Sequence, residues 1–376
     1  MLESTIGRLN HAAFVIPLAR HFLNRLRLRL RKRQFASQQL TLSKQELQDF
    51  ELWLQFLRRA RTGLSMNLLT LRKPSRLAFS DSCPYGLGGF TWSGRAWRLK
   101  VPESSPLHGD STANNFLEFL AMAVTIWLVV KECEEEGAKE ECILALGDNT
   151  SAIGWLHRSG RLSPESVYYE AVNLVARKVA SLVTKSENCL FSQHIRGEKN
   201  VVSDLLSYTG SSRGNSHPLA PEPDISDQEL TRRFHSSLPQ IIPENFNICP
   251  LPSDVSSFVT LAVQTAESSW IRSKKGRTRA ATECGVDGHG SVPPSTLSTH
   301  SSMTYPAQSR NSCYVPSLSA SESLSGITTE AFLESVRSPW SRRLSEVPQA
   351  LWLRRSGTIS NSAPFTSKGA TSSCPR

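Results

Sequence analysis

Between Leu77 and Tyr208 the apolar positions switch period several times. LAFSDSC, GLGGFTWS and RAWRLKVP are short runs broken by Pro84-Tyr85-Gly86 and by Ser93-Gly94, a pattern that predicts three antiparallel strands in a meander. The stretch from Ala113 to about Glu135 contains AMAVTIWLVV and is apolar on nearly every face, which predicts a buried helix. A strand is expected over Cys142–Gly147, a helix from Thr150, a longer helix from about Pro164 to Val183, a strand over Cys189–Arg196 and a short helix over Asn200–Ser207. Three antiparallel strands followed by helix, strand, helix and strand give an α/β fold with a mixed five-stranded sheet, its last two strands parallel.

The flanking segments read differently. Residues 1–76 show a helical period through Ile6, Leu9, Ala13, Ile16, Leu23 and Leu26, and Ser43-x-x-Glu46 opens a further helix with a capping box, so two or three helices are expected there. Residues 209–290 are Pro-, Ser- and Gly-rich and read as a linker with one modest helical candidate, Asp254–Ile271. From Ser291 to Arg376 about a quarter of the residues are serine and no period is sustained; disorder is the default reading, a frame-shifted segment the other.

Charge changes the picture for the first segment only. Residues 1–76 carry 15 Lys/Arg against 4 Asp/Glu, whereas the other 300 carry 28 against 29. In RLRLRLRKR, residues Arg25, Arg29 and Arg33 share one helical face, a band suited to phosphate backbones, the alternatives being a solvated face or a localisation signal. The eight cysteines form no CxxC pair or Cys/His cluster, which argues against zinc and for a reducing compartment. The expectation is an intracellular protein, cytoplasmic or nuclear, with no membrane partner: no apolar run approaches the roughly 18 residues of a span, and no secretory leader is legible.

Four acids stand where solvated acids do not belong. Asp81 interrupts the first strand, Glu118 lies on the apolar helix, Asp148 ends the fourth strand and Asp204 opens the last short helix. Asp148 in LGDNTSAIGWL has two readings, a helix N-cap or a site acid at the carboxyl end of a strand. Buried unpaired carboxylates repel and lose their charge unless cations hold them together, and a pair of divalent metals is the known remedy. The remaining acids, as in KECEEEGAKEE, read as solvated.

With these strings in hand (FSDSCPYGLGGF, ANNFLEFLA, LGDNTSAIGWL and HIRGEKNVVSDLLS) the chain from Leu77 to Tyr208 resembles ribonuclease H in its retroelement form. Each string alone is common; their order is what carries the likeness. IGRLNHAAFVIPLARHFLNRLR is similar to the thumb helices of a reverse transcriptase of the DIRS-like, tyrosine-recombinase retrotransposons, and residues Asn245–Trp270 are similar to the spacer after the nuclease in such elements. No YxDD box occurs, so polymerase activity is not expected.

The resemblance implies a ribonuclease H-like fold and a two-metal endonuclease that cleaves the RNA strand of RNA·DNA hybrids. It implies that Asp81, Glu118, Asp148 and Asp204 hold two Mg²⁺ ions, with Mn²⁺ able to substitute. Asn114 and Asn115 would touch the hybrid, as would Thr150, although either asparagine as an N-cap is an equal reading. Two departures stand out: Glu198 rather than a mobile His follows Gly197, and Tyr208 stands where the pattern usually ends in Arg. His194 then reads as structural or as a substrate-side contact, and His108 with Asp110 as a turn. The alternatives are a catalytically inactive nucleic-acid-binding remnant and, more remotely, a junction or transposase-type nuclease on the same fold.

Overall fold

A computed structural model describes residues 1–33, 35, 38–63, 72–158, 162–163, 165–208, 225–283 and 334. The meander forms as the turn residues require: β1 (Arg76–Cys83), β2 (Gly86–Thr91) and β3 (Arg95–Lys100) pair antiparallel, with Asp81 opposite Gly88 and Gly89 opposite Trp97. β4 (Cys142–Gly147) pairs parallel with β1, and β5 (Cys189–His194) parallel with β4.

Among the described residues the sheet has six strands, not five, in the order β5-β4-β1-β2-β3-β6. The sixth, β6 (Asn247–Ile248), runs parallel to β3 at the edge, where Asn247 N–H donates to Gly94 O and Cys249 N–H to Ala96 O, each at 2.8 Å. It comes from the stretch read as linker. Polar composition hid the reason: Leu230 and Phe234 of α8 (Asp227–Ser237), then Leu238, Ile241, Ile242, Phe246 and Ile248, all bury against one face of the sheet. With Leu77, Phe79, Phe90, Leu144 and Leu146 they form one of two cores, roofed also by α7 (Val201–Ser207).

The other face carries α4 (Asn114–Glu136). Its all-round apolarity follows from its position, with the sheet beneath it and three further helices, α5 (Thr150–Arg158), α6 (Tyr169–Ser186) and α9 (Ser253–Glu283), against its other sides. Phe116 and Phe119 are wholly buried there, each contributing roughly 1.5–3 kcal/mol of burial. α9 runs well beyond the modest helix expected over Asp254–Ile271, held by Val255, Val259, Ala262 and Ala266 on its buried stripe. No helix among the described residues is long and apolar enough to cross a membrane.

The first segment folds as three α-helices, α1 (Leu2–Ala12), α2 (Asn24–Arg31) and α3 (Lys44–Arg61), with a 3₁₀ stretch Pro17–Leu23 between the first two. The capping box forms: Glu46 N–H donates to Ser43 Oγ at 3.3 Å and Ser43 N–H to Glu46 Oε2 at 2.6 Å. These helices share a third core with Ala180 of α6, so the segment packs on the α/β unit. The serine-rich stretch 291–376, Glu334 apart, and residues 209–224 of the expected linker lie outside the described residues.

Candidate metal centre

Parallel pairing of β1 and β4 brings the first and third acids level. The ladder matches Phe79 with Leu146, and two further steps in the same register set Asp81 beside Asp148. Adjacent strands lie about 4.8 Å apart, so the two carboxylates converge at the end of the sheet. Asp148 is free for this because it does not cap the helix that follows. In α5 (Thr150–Arg158) the cap is Asn149, whose Oδ1 accepts from Ser151 N–H at 2.9 Å and Ala152 N–H at 3.0 Å.

α4 supplies the second acid. One turn beyond Glu118, Met122 touches the strand at Gly147, and Thr125 accepts a hydrogen bond from Trp97 Nε1 at 3.1 Å, so this line of the helix faces the sheet. Carboxylate oxygens of Asp81, Glu118 and Asp148 all lie within 4.8 Å of one another. Asp81 and Glu118 are 5% exposed, whereas Asp148 is half-buried, so the group opens to solvent on the Asp148 side.

The fourth acid is looser. Asp204 sits half-buried in the first turn of α7, outside the tight group of three but near enough to act on Asp81. Two residues to which the sequence assigns no site role, Ser207 and Asn200, hold the α7 end in place. Ser207 Oγ lies 3.1 Å from Asp81 Oδ2 and 2.9 Å from Asp204 O; with one proton it donates to one of them at a time. Asn200 Nδ2 donates to Ser80 O at 3.0 Å, tying the start of α7 to the end of β1, while its buried Oδ1 has no partner among the described residues. Gly197, after β5, passes so close that a Cβ there would sit 3.2 Å from Asp148 Oδ2. Only the spacing of Asn200 to Asp204, one helical turn, was a usable signal in the sequence.

Electrostatically the acids act against one another. Burial first, then Glu118, Asp148 and Asp204, hold Asp81 well above the usual carboxylate range, with the Ser207 hydroxyl opposing. Burial and then Asp148 push Glu118 up to about 8, with the Ser82 backbone opposing. No lysine or arginine figures among the main influences on either. Three hard oxygen donors with surplus negative charge and one open side could hold a metal ion.

The other expected contact residues fall in two groups. Asn115 is exposed and Asn114 half-buried at the start of α4, close to the acids along the chain. Neither caps that helix: the position belongs to Ala113, and Asp110 instead caps the preceding turn through Thr112 N–H at 2.9 Å. Asn149 Nδ2 donates to Asn115 Oδ1 at 3.0 Å, and Thr150 is exposed beside it. Asn114 Oδ1 is buried with no partner among the described residues.

The arginine band turns inward. Arg25 is 8% exposed, its Nε 3.6 Å from Asp49 Oδ2 and its guanidinium 5.2 Å from the Tyr169 ring centre. Arg29 donates to Thr41 O at 2.5 Å and lies 4.0 Å from Glu46, and Arg33 lies 3.4 Å from Glu3. A shared helical face was read as an outer surface, whereas much of it bonds the first segment to itself and to α6. Glu132, read as solvated, is also buried; Thr91 Oγ1 donates to it at 2.8 Å and Arg95 stands 3.8 Å away. His194 is exposed at the end of β5, and Asp110 accepts from Trp270 Nε1 at 2.8 Å, which bonds α9 to the turn before α4. Comparison with protein-family models, with curated proteins and with solved structures finds no match to this chain.

Proposed function

We propose that the chain is a metal-dependent endonuclease of the ribonuclease H type, acting on the RNA strand of an RNA·DNA hybrid, as its sequence strings suggest. The observation that supports this reading is the meeting of Asp81, Glu118 and Asp148, from three separate elements, with no lysine or arginine of the described residues among the main influences on Asp81 or Glu118. These three, with Asp204 as the fourth, would hold two Mg²⁺ ions, and Mn²⁺ would serve in their place; the all-oxygen donor set fits hard cations. When bound, such ions supply charge neutralisation and Lewis acidity at the scissile phosphodiester.

The chain's own residues do the rest. Asp148, on the open side, faces the approaching backbone. Glu118 keeps a proton to about pH 8 in the absence of metal and must release it for the site to load. Asn115, its Oδ1 already engaged by Asn149, presents its amide nitrogen toward a ribose 2′-hydroxyl, the group that tells RNA from DNA.

The test uses the full chain, since α8, β6 and α9 complete both cores and a fragment ending near Tyr208 would expose them. A labelled RNA·DNA hybrid is incubated with Mg²⁺ and either wild type or Asp148→Asn. The wild type is expected to leave 5′-phosphate and 3′-hydroxyl ends, and the variant to be slower by about a thousandfold, the scale of several kcal/mol of lost transition-state stabilisation. Equal cleavage by both, or by neither, sinks the proposal. Salt-dependent binding that survives the substitution without turnover points instead to a non-catalytic remnant.

A further inference from the structure

At the opposite end of the sheet from the acids, β4 and β5 each begin with a cysteine. Cys142 and Cys189 are forty-seven positions apart in the chain but directly opposite in the parallel ladder. Strand alternation fixes their direction: Ile143 and Leu190 face the α4 core, so Cys142 and Cys189 both project to the other side, toward Leu144 and Phe191. Both are free thiols, each 2% exposed. Neighbouring strands stand about 4.8 Å apart, inside the 4.4–6.8 Å Cα separation that a disulfide bridges.

A third residue makes the pair asymmetric. Arg72, just before β1, places Nη2 3.3 Å from Cys189 Sγ, while its carbonyl lies 3.7 Å from Cys142 Sγ and accepts from that thiol. Arg72 is itself anchored, donating to Glu140 O at 2.5 Å. Glu140 and Glu141 are the nearby acids acting on this cluster. The Arg72 charge acts on both sulfurs, but its guanidinium donates to Cys189 whereas Cys142 meets only its carbonyl, the arrangement that separates a nucleophilic thiolate from a resolving thiol. A guanidinium at the sulfur also disfavours a bound metal cation, which leaves oxidation chemistry as the use of the pair.

We propose that Cys142, Cys189 and Arg72 form a peroxide-sensitive dithiol that closes to a cross-strand disulfide between β4 and β5. The Cys189 thiolate attacks one oxygen of a peroxide; an S–O bond forms, the O–O bond breaks and hydroxide leaves, taking the proton of Cys142 to become water. The Cys142 thiolate then attacks the Cys189 sulfur, forming S–S and expelling hydroxide from the sulfenic acid. Each sulfur is oxidised by one electron and the peroxide is reduced by two. In support, Cys142 and Arg72 bring the Cys189 thiol down to about 6, against burial, whereas hydrogen bonding to Cys189 and burial hold Cys142 far up.

The experiment is done on the full-length reduced chain and does not depend on nuclease activity. The protein is exposed to hydrogen peroxide, quenched with an alkylating reagent in denaturant, digested and mapped by mass spectrometry. The expected product is a peptide linking Cys142 to Cys189, lost on later reduction, formed before the more exposed Cys249 is oxidised. At pH 5, below the titration of the Cys189 thiol, Arg72→Gln is expected to slow its formation about tenfold, one pKa unit of thiolate, and Arg72→Lys to restore most of the rate. Cys142 and Cys189 both fully alkylated after Cys249 has reacted, or linked to other cysteines, overturns the proposal, and the wild-type map decides this even if an Arg72 variant does not fold.

Discussion

Two buried aspartates of this protein have opposite company. Asp49, on α3, is 2% exposed and lies between Arg177 of α6, whose Nε donates to it at 3.1 Å, and Arg25 at 3.6 Å. Asp81, on β1, is 5% exposed, and its charged neighbours are Glu118, Asp148 and Asp204. Burial raises the titration of both, but for Asp49 the two guanidiniums oppose it and for Asp81 the three neighbouring acids add to it. The first is a fastener between helices. The second has acids and no cation among the main influences on it, the setting of a group that could hold a metal ion.

Matched substitutions break this contrast most directly. Asp49→Asn removes the carboxylate shared by Arg25 and Arg177, leaving Arg25 only the more distant Glu170, and is expected to destabilise the chain by about 3–5 kcal/mol in urea unfolding. Asp81→Asn removes repulsion instead, and in the absence of divalent metal it is expected to leave stability unchanged or raise it by about 1 kcal/mol. Destabilisation of similar size by both would show that Asp81 is a structural acid after all.

A smaller effect sharpens the same point through pH. Glu118 is pushed up from 4.5 to about 8, so between those values the folded chain holds a proton that the unfolded chain has released. That contribution to stability is fully present below 4.5 and is lost as pH rises through 8. In EDTA the melting temperature is therefore expected to fall across this window. Mg²⁺ at a hundred times the Kd it shows at the alkaline end, where the site is deprotonated, restores about 2.7 kcal/mol there and less at lower pH, and the gain should vanish in Asp81→Asn. A flat profile, or Mg²⁺ stabilisation that survives that substitution, counts against a metal held by these acids.

The smallest expected effect concerns the residue beside the site. Asn149→Ala removes the cap of α5 and should cost about 1 kcal/mol, with the affinity of the acids for Mg²⁺ changed far less. Loss of Mg²⁺ binding out of proportion to stability would make Asn149 part of the site.

Much of the fold was legible because its signals are local. The meander followed from turn residues at Pro84 and Gly94, the capping box from Ser43 and Glu46, and the burial of α4 from its all-round apolarity. Four acids on four elements could be named, since an acid inside an apolar pattern stands out. What resisted reading is pairing across the chain. Leu230, Phe234 and Phe246 are scattered in polar sequence, so the sixth strand and the helix before it left no period to find. Asp148 and Asn149 are both good caps, and only the backbone path decides that Asn149 takes the role. Cys142 and Cys189 share no motif; the parallel register alone makes them neighbours. Arg25 was read by its helical face without knowing that α6 and Asp49 lie against it.

Gly88 is paired with Asp81 across the β1–β2 ladder, and α7 lies directly over it: a Cβ built there would be 2.5 Å from Leu206 C and 2.6 Å from Ser207 N. Both of those contacts are backbone, so a methyl group at that point would lever the helix off the sheet, and Asp204 and Ser207 ride on that helix. The spacing between the first acid and the fourth is thus gauged by an absent side chain on a strand that carries no acid at all.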